Sequence, residues 1–176
     1  RYPVVELGAD YEKTTWVEAI RDVGSAASEH ERLMGYFEKS TVDILTLTVT
    51  EKAYVAGSPA IKLIAEGLRR RMNASAGPMN ILSCDNLRGN GKKLAALVTG
   101  AMNGEEVAWL QKYVRFPSTM VDRIVPATQD TDRTMLLARH GFADAGAVMT
   151  DLHASAFDSN AGTRRLCALY GVETLD

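Results

Sequence analysis

Between residues 42 and 84 the chain changes its hydrophobic rhythm twice. The run Val42-Asp43-Ile44-Leu45-Thr46-Leu47-Thr48-Val49-Thr50 is β-branched and almost continuously apolar or threonine. That pattern predicts a central parallel strand, covered on both faces. After Gly57-Ser58-Pro59 the apolar positions become Ile61, Ile64, Ala65 and Leu68, a stripe of helical period that predicts a crossover helix over 60–73. Its last turn carries Arg69, Arg70 and Arg71, which suit the negative end of the helix dipole and read as a solvated helix end. Gly77-Pro78 releases the chain into Met79-Asn80-Ile81-Leu82-Ser83-Cys84, a second short buried strand. Strand, helix and strand at this spacing form a βαβ unit, right-handed almost without exception.

The flanks extend the same alternation. Tyr2 to Leu7 predicts a first or edge strand closed by a turn at Gly8-Ala9-Asp10, whereas Trp16 to Val23 alternates imperfectly and fits a strand or a short helix. Ser28 to Lys39 predicts a helix, with Ser28 and Glu31 at capping-box spacing. Beyond the loop 85–91, helices are predicted over 92–102 and 105–114, a strand over 120–125, a helix over 130–140 and a strand over 145–149. This order argues for an α/β fold of Rossmann type: an open, mostly parallel sheet with helices on both faces, spanning residues 1–150. Residues 151–176 read as a capped helical tail or the start of a second domain. The chain opens at Arg1, inside a strand pattern, and is expected to belong to something longer.

Charge and composition narrow the partners. Lys and Arg number 20 and Asp and Glu 22 among 176 residues, a net charge of -2, so neither nucleic acid nor an anionic membrane is an expected partner. No apolar run approaches the roughly 18 residues of a membrane span, and the first residues lack the build of a signal peptide. A cytoplasmic location is the expectation. Cys84 and Cys167 are too few for a disulfide scaffold, and His30, His140 and His153 have no metal-ligand spacing. Cys84 reads as a small core residue, and the histidines as surface or capping groups.

In a parallel α/β sheet ligands bind beyond the carboxyl ends of the strands. Three polar segments fall there: Thr50-Glu51-Lys52, Cys84-Asp85-Asn86 and Ser118-Thr119-Met120-Val121-Asp122-Arg123. Asn86 offers a neutral carboxamide able to donate to a developing oxyanion, or equally an Asx turn. Asp122 can hold a substrate hydroxyl, or pair with Arg123 as a salt bridge. Gly89-Asn90-Gly91 lacks the third glycine of a dinucleotide fingerprint and follows the wrong strand for one.

Taken together, Thr46-Leu47-Thr48-Val49-Thr50-Glu51-Lys52-Ala53-Tyr54, Ile81-Leu82-Ser83-Cys84-Asp85-Asn86-Leu87-Arg88-Gly89-Asn90-Gly91 and Phe116-Pro117-Ser118-Thr119-Met120-Val121-Asp122-Arg123-Ile124-Val125-Pro126 closely resemble the amino-terminal domain of the mannitol dehydrogenase family. The third segment looks most like its fructuronate and mannonate branch, with the family's polyol enzymes as the alternative and a non-catalytic dinucleotide-binding module as the rival. The resemblance implies metal-independent hydride transfer between NAD and a secondary alcohol or ketone of a small sugar acid or polyol. It implies Asn86 as a catalytic donor to the reacting oxygen, Asp122 and Arg123 at the substrate, and Thr50, Glu51 and Asn86 along the cofactor cleft. The family's glycine-rich first turn and its lysine-bearing helical domain have no counterpart in this sequence.

Overall fold

A computed structural model describes residues 2–7, 10–120, 127–148 and 156–157. The predicted βαβ unit is present. Strand β3 (Ile44–Leu47) leads through helix α2 (Pro59–Asn73) to strand β4 (Met79–Ser83), and the two strands pair in parallel from Ile44 opposite Asn80 to Leu47 opposite Ser83. Helix α2 starts cleanly because Ser58 accepts the Ile61 amide and Pro59 takes the first turn, where its missing N–H costs nothing.

Helices α3 (Asn90–Gly100) and α4 (Gly104–Tyr113) follow β4, the second opened by a capping box between Asn103 and Glu106. The third parallel strand is β5 (Val114–Arg115), running directly out of α4 and pairing with Met79 and Asn80. The sheet order is therefore β3-β4-β5. The central strand is β4; among the described residues β3 has a neighbour on one side only, and its Thr46 is exposed. This corrects the reading of β3 as central and covered on both faces. Its one threonine, Thr46, which the apolar-or-threonine pattern counted as buried, is exposed, as are Thr48 and Thr50 past the strand's end.

Both crossovers step the same way across the sheet, and right-handed connections then put α2, α3 and α4 on one face. Contacts of α2 with both α3 and α4 agree. Between helices and sheet lies a core of Ile61, Ile64, Leu68, Met79, Ile81, Leu94, Val98, Leu110 and Val114, with Met34 and Phe37 from helix α1 (His30–Phe37). Phe37 lies against α2 where Gly67 leaves room; a Cβ there would stand 2.5 Å from its ring.

Two expectations about this region change. The Ser28–Glu31 capping box does not form: α1 begins at His30, Glu29 accepts the Ser25 amide, and Glu31 faces Arg70 instead. The arginine run is no solvated helix end, because Arg71 is 0% exposed and donates to the carbonyls of Phe37, Lys39, Ala76, Gly77 and Pro78. Its neighbours diverge: Arg69 pairs with Glu106, and Arg70 with Glu31 and Glu66.

The remainder is thinner. Strands β1 (Tyr2–Leu7) and β2 (Glu12–Val17) form an antiparallel hairpin separate from the parallel sheet; of the ambiguous segment 16–23 only Trp16 and Val17 belong to a strand, and 18–23 form neither strand nor helix. The hairpin meets helix α5 (Asp130–His140) through Glu12, 3.5 Å from Arg139, and the chain just past that helix through Trp16, set edge-on to Phe142 at 5.3 Å. Strand β6 (Thr119–Met120) pairs with β7 (Ala156–Phe157). Residues 121–125 of the predicted strand lie outside the described residues, and 145–148 form no strand. His153, Cys167 and the predicted tail helix lie outside as well. His140 departs from the surface role expected of it, its side chain being only 8% exposed.

Candidate functional site

The carboxyl ends of β3 and β4 are tied together by one side chain. Asp85, two residues past β4, accepts the Thr50 amide through Oδ1 at 2.9 Å and the Val49 amide through Oδ2 at 3.1 Å. The same Oδ2 accepts the Tyr54 hydroxyl at 2.8 Å, and that hydroxyl is also hydrogen-bonded to the Ser83 hydroxyl. Thr50 thereby holds a positive φ of 65°, unusual for a β-branched residue, and a 3-10 turn over Glu51–Ala53 begins immediately after it.

Tyr54 is pushed up to about 12, first by burial and also by the Asp85 carboxylate, so it stays a neutral phenol. Burial together with the same carboxylate raises the Cys84 thiol, so this half-buried cysteine is a poor nucleophile.

A second bracket stands on the other side of the turn. Asn90, 0% exposed, donates through Nδ2 to the Ser83 and Asp85 carbonyls and to the Thr119 carbonyl and hydroxyl, and accepts the Gly91 and Thr119 amides through Oδ1. Gly91 lies so close to the chain at 116–117 that a Cβ would meet the Phe116 and Pro117 carbonyl oxygens at 2.5 Å. The Asn90 side chain and the face of Gly91 are therefore taken up by protein contacts, whereas Gly89 borders open space.

Asn86 follows Asp85 on the turn that leads to Asn90. It is exposed, and its backbone is fixed by the Leu87 amide donating to the Asp85 carbonyl at 2.8 Å and the Asn90 amide donating to the Leu87 carbonyl at 3.0 Å. Beside it opens a cleft of about 510 Å³ lined by Glu51, Tyr54, Val55, Leu87, Lys93, Ala96 and Leu97. The structure thus brings Thr50 and Glu51 to the turn that carries Asn86. Asp122 and Arg123 lie outside the described residues. Asp85, Tyr54 and Asn90 are additions to the residues singled out from sequence; an acceptor directly after a buried strand and an asparagine between glycines were the available signals.

Elsewhere, His30, Glu31 and Glu66 bring ligand-type atoms within 4.8 Å of one another. Arg70 already pairs with both carboxylates, and His30 donates its Nε2–H to the Glu66 carboxylate at 2.9 Å.

Parallel strands joined by helical crossovers, with a cleft beyond the strand ends, define a Rossmann-type domain. A profile of the Mannitol dehydrogenase Rossmann domain matches residues 1–151, and the chain belongs to that family. It is similar to the uncharacterized oxidoreductase YeiQ of Escherichia coli (strain K12), 30% identical over 174 residues that cover 84% of this chain and 36% of that protein. It is also similar to D-mannonate oxidoreductase of the same organism, 31% identical over 153 residues, covering 72% and 32%. The solved ternary complex of Pseudomonas fluorescens mannitol 2-dehydrogenase with NAD and D-mannitol superposes with a TM-score of 0.77 at 25% identity, covering 90% of this chain and 38% of that one. The chain spans about a third of the length of the curated relatives it matches. No helix among the described residues is long and apolar enough to cross a membrane.

Proposed function

We propose that this chain is the dinucleotide-binding part, residues 1–150, of a cytoplasmic NAD-dependent oxidoreductase. Its reaction interconverts a secondary alcohol and a ketone on an open-chain sugar derivative, D-mannonate and D-fructuronate in particular. The observation that carries this reading is the Asp85 bridge, which joins the Thr50–Glu51 turn and the Asn86 turn at the edge of one cleft. The cleft's chemistry suits one end of a dinucleotide: Val55, Leu87, Ala96 and Leu97 offer apolar walls to a flat ring, and the Glu51 carboxylate offers acceptors to ribose hydroxyls. When bound, the nicotinamide supplies the hydride chemistry.

The chain's own residues supply orientation and charge. Thr50 and Glu51 border the cofactor. The Asn86 amide group donates to the substrate oxygen as negative charge gathers on it, and being neutral it does so at any physiological pH. Asp122 accepts from substrate hydroxyls, and Arg123 pairs with the carboxylate of a sugar acid. That guanidinium, the Phe116–Pro126 motif and the similarity to D-mannonate oxidoreductase favour a sugar acid over mannitol.

The test is NADH formation by the full-length gene product with D-mannonate and with D-mannitol, repeated with NADP. Faster turnover of mannonate with NAD is expected, and Asn86→Ala should lower kcat about 10²- to 10³-fold, the usual loss for one oxyanion donor. Absence of oxidation with any hexonate or polyol would refute the reading.

A further inference from the structure

We propose that Asp85 is a positioning residue for the dinucleotide: its carboxylate sets the Thr50–Glu51 turn that faces the cofactor and anchors the turn that presents Asn86. The inference rests on the oxidoreductase reading above and goes beyond it. Thr50 adopts its left-handed backbone at φ 65° with no side-chain cap of its own. A β-branched residue pays a steric penalty there, and holds the conformation only where surrounding bonds over-determine it.

Those bonds come from one group. Val49 and Thr50 donate their amides to different oxygens of Asp85, and Tyr54, at the far end of the 3-10 turn, donates its hydroxyl to Oδ2. The segment carrying Glu51 is therefore held at both ends by the same carboxylate. Asp85 is itself fixed, since its carbonyl accepts from the Asn90 carboxamide at 3.1 Å and from the Leu87 amide at 2.8 Å. A side chain held from behind and holding the opposite strand end can fix two ligand-facing turns relative to each other. No other described side chain joins Val49, Thr50 and Tyr54 in this way.

An asparagine at 85 has the same size but only one acceptor oxygen. Its amide group must face either the Thr50 amide or the Val49 amide and the Tyr54 hydroxyl, donor against donor. Tyr54→Phe removes one bond and leaves both backbone amides paired.

The experiment measures NADH affinity of the full-length protein by nucleotide fluorescence, alongside thermal unfolding and the separate kcat and KM for the cofactor. Asp85→Asn should raise the NADH Kd at least about tenfold. Tyr54→Phe should raise it by about threefold, and Asp85→Glu, whose longer arm displaces the turn, should fail to restore it. Wild-type affinity in both Asp85→Asn and Tyr54→Phe, with only a lowered Tm, would overturn the proposal and leave Asp85 a structural tie. Should Asp85→Asn not fold, unchanged affinity in Tyr54→Phe alone overturns it. Failure of the wild-type protein to bind NADH is a separate outcome, which removes the oxidoreductase reading itself.

Discussion

Asn90 holds Thr119 at three points: it accepts the Thr119 amide at 3.0 Å and donates to the Thr119 carbonyl and hydroxyl, each at 3.1 Å. This fixes the segment leading towards Asp122 against the end of β4, because the same carboxamide reaches the Ser83 carbonyl at 3.2 Å. A single buried side chain thus joins two of the three strand-end segments singled out in the sequence.

Replacing it leaves several buried groups without partners. Asn90→Ala is expected to lower stability by about 3 kcal/mol or more, since each unsatisfied buried polar group costs roughly 1–3 kcal/mol. Asn90→Asp should be worse, because carboxylate oxygens would face the Ser83, Asp85 and Thr119 carbonyls. Urea unfolding of the three proteins measures the order; equal midpoints for Asn90→Ala and the wild type would show the bracket to be unimportant.

The two ends of α3 make opposite demands on glycine. At Gly91 an added Cβ meets the Phe116 and Pro117 carbonyl oxygens at 2.5 Å, so Gly91→Ala forces backbone apart and should cost about 1–3 kcal/mol or more. At Gly100 nothing lies within 4 Å of the added atom, and Gly100→Ala should stabilise by about 0.5–1 kcal/mol through the unfolded chain. Differential scanning calorimetry should show the two Tm shifts in opposite directions.

The sequence made the βαβ unit legible because its two periods are unmistakable: near-continuous apolar residues over β3 and β4, and a helical stripe over α2. The stripe also contained a signal that a composition-based reading passes over. Arg71 lies three positions after Leu68 and seven after Ile64, on the buried face rather than the solvated one. Strand β5 was hidden because Val114 and Arg115 continue the helix α4 pattern and pair over only two residues. Thr50 and Glu51 could be placed at a strand end from sequence, but the Asp85 bridge could not. It spans 35 residues of chain, and local patterning does not report such a contact.

Arg71 uses every N–H of its guanidinium. Nε donates to the Gly77 carbonyl at 2.9 Å, Nη1 to Phe37 and Lys39, and Nη2 to Ala76 and Pro78. It therefore fastens the end of α1 and the α2–β4 connection to one point. Lysine has three donors on a single nitrogen and cannot reproduce the planar fork. Arg71→Lys is expected to cost about 2–4 kcal/mol and Arg71→Met at least as much, because each strands several buried carbonyls. Guanidinium unfolding reads the losses, and a Lys variant as stable as wild type would contradict this account of the fork.

Tyr54 should ionise late. Its phenol is shifted from 10.0 to about 12, first by burial; the hydrogen bond with Ser83 pulls the other way, and the Asp85 carboxylate pushes it up again. A raised pKa in the folded state means that this group's contribution to stability is fully present below pH 10 and is lost as pH rises through about 12. The tyrosinate absorbance of the wild-type protein minus that of Tyr54→Phe isolates the one residue among six tyrosines. The difference should stay flat through pH 10, where an ordinary phenol is half ionised, and rise only towards pH 12. In Asp85→Asn the neighbouring negative charge is gone, so the same midpoint should move down. A wild-type difference curve already half complete at pH 10 would show that the Tyr54–Asp85 contact does not hold in solution.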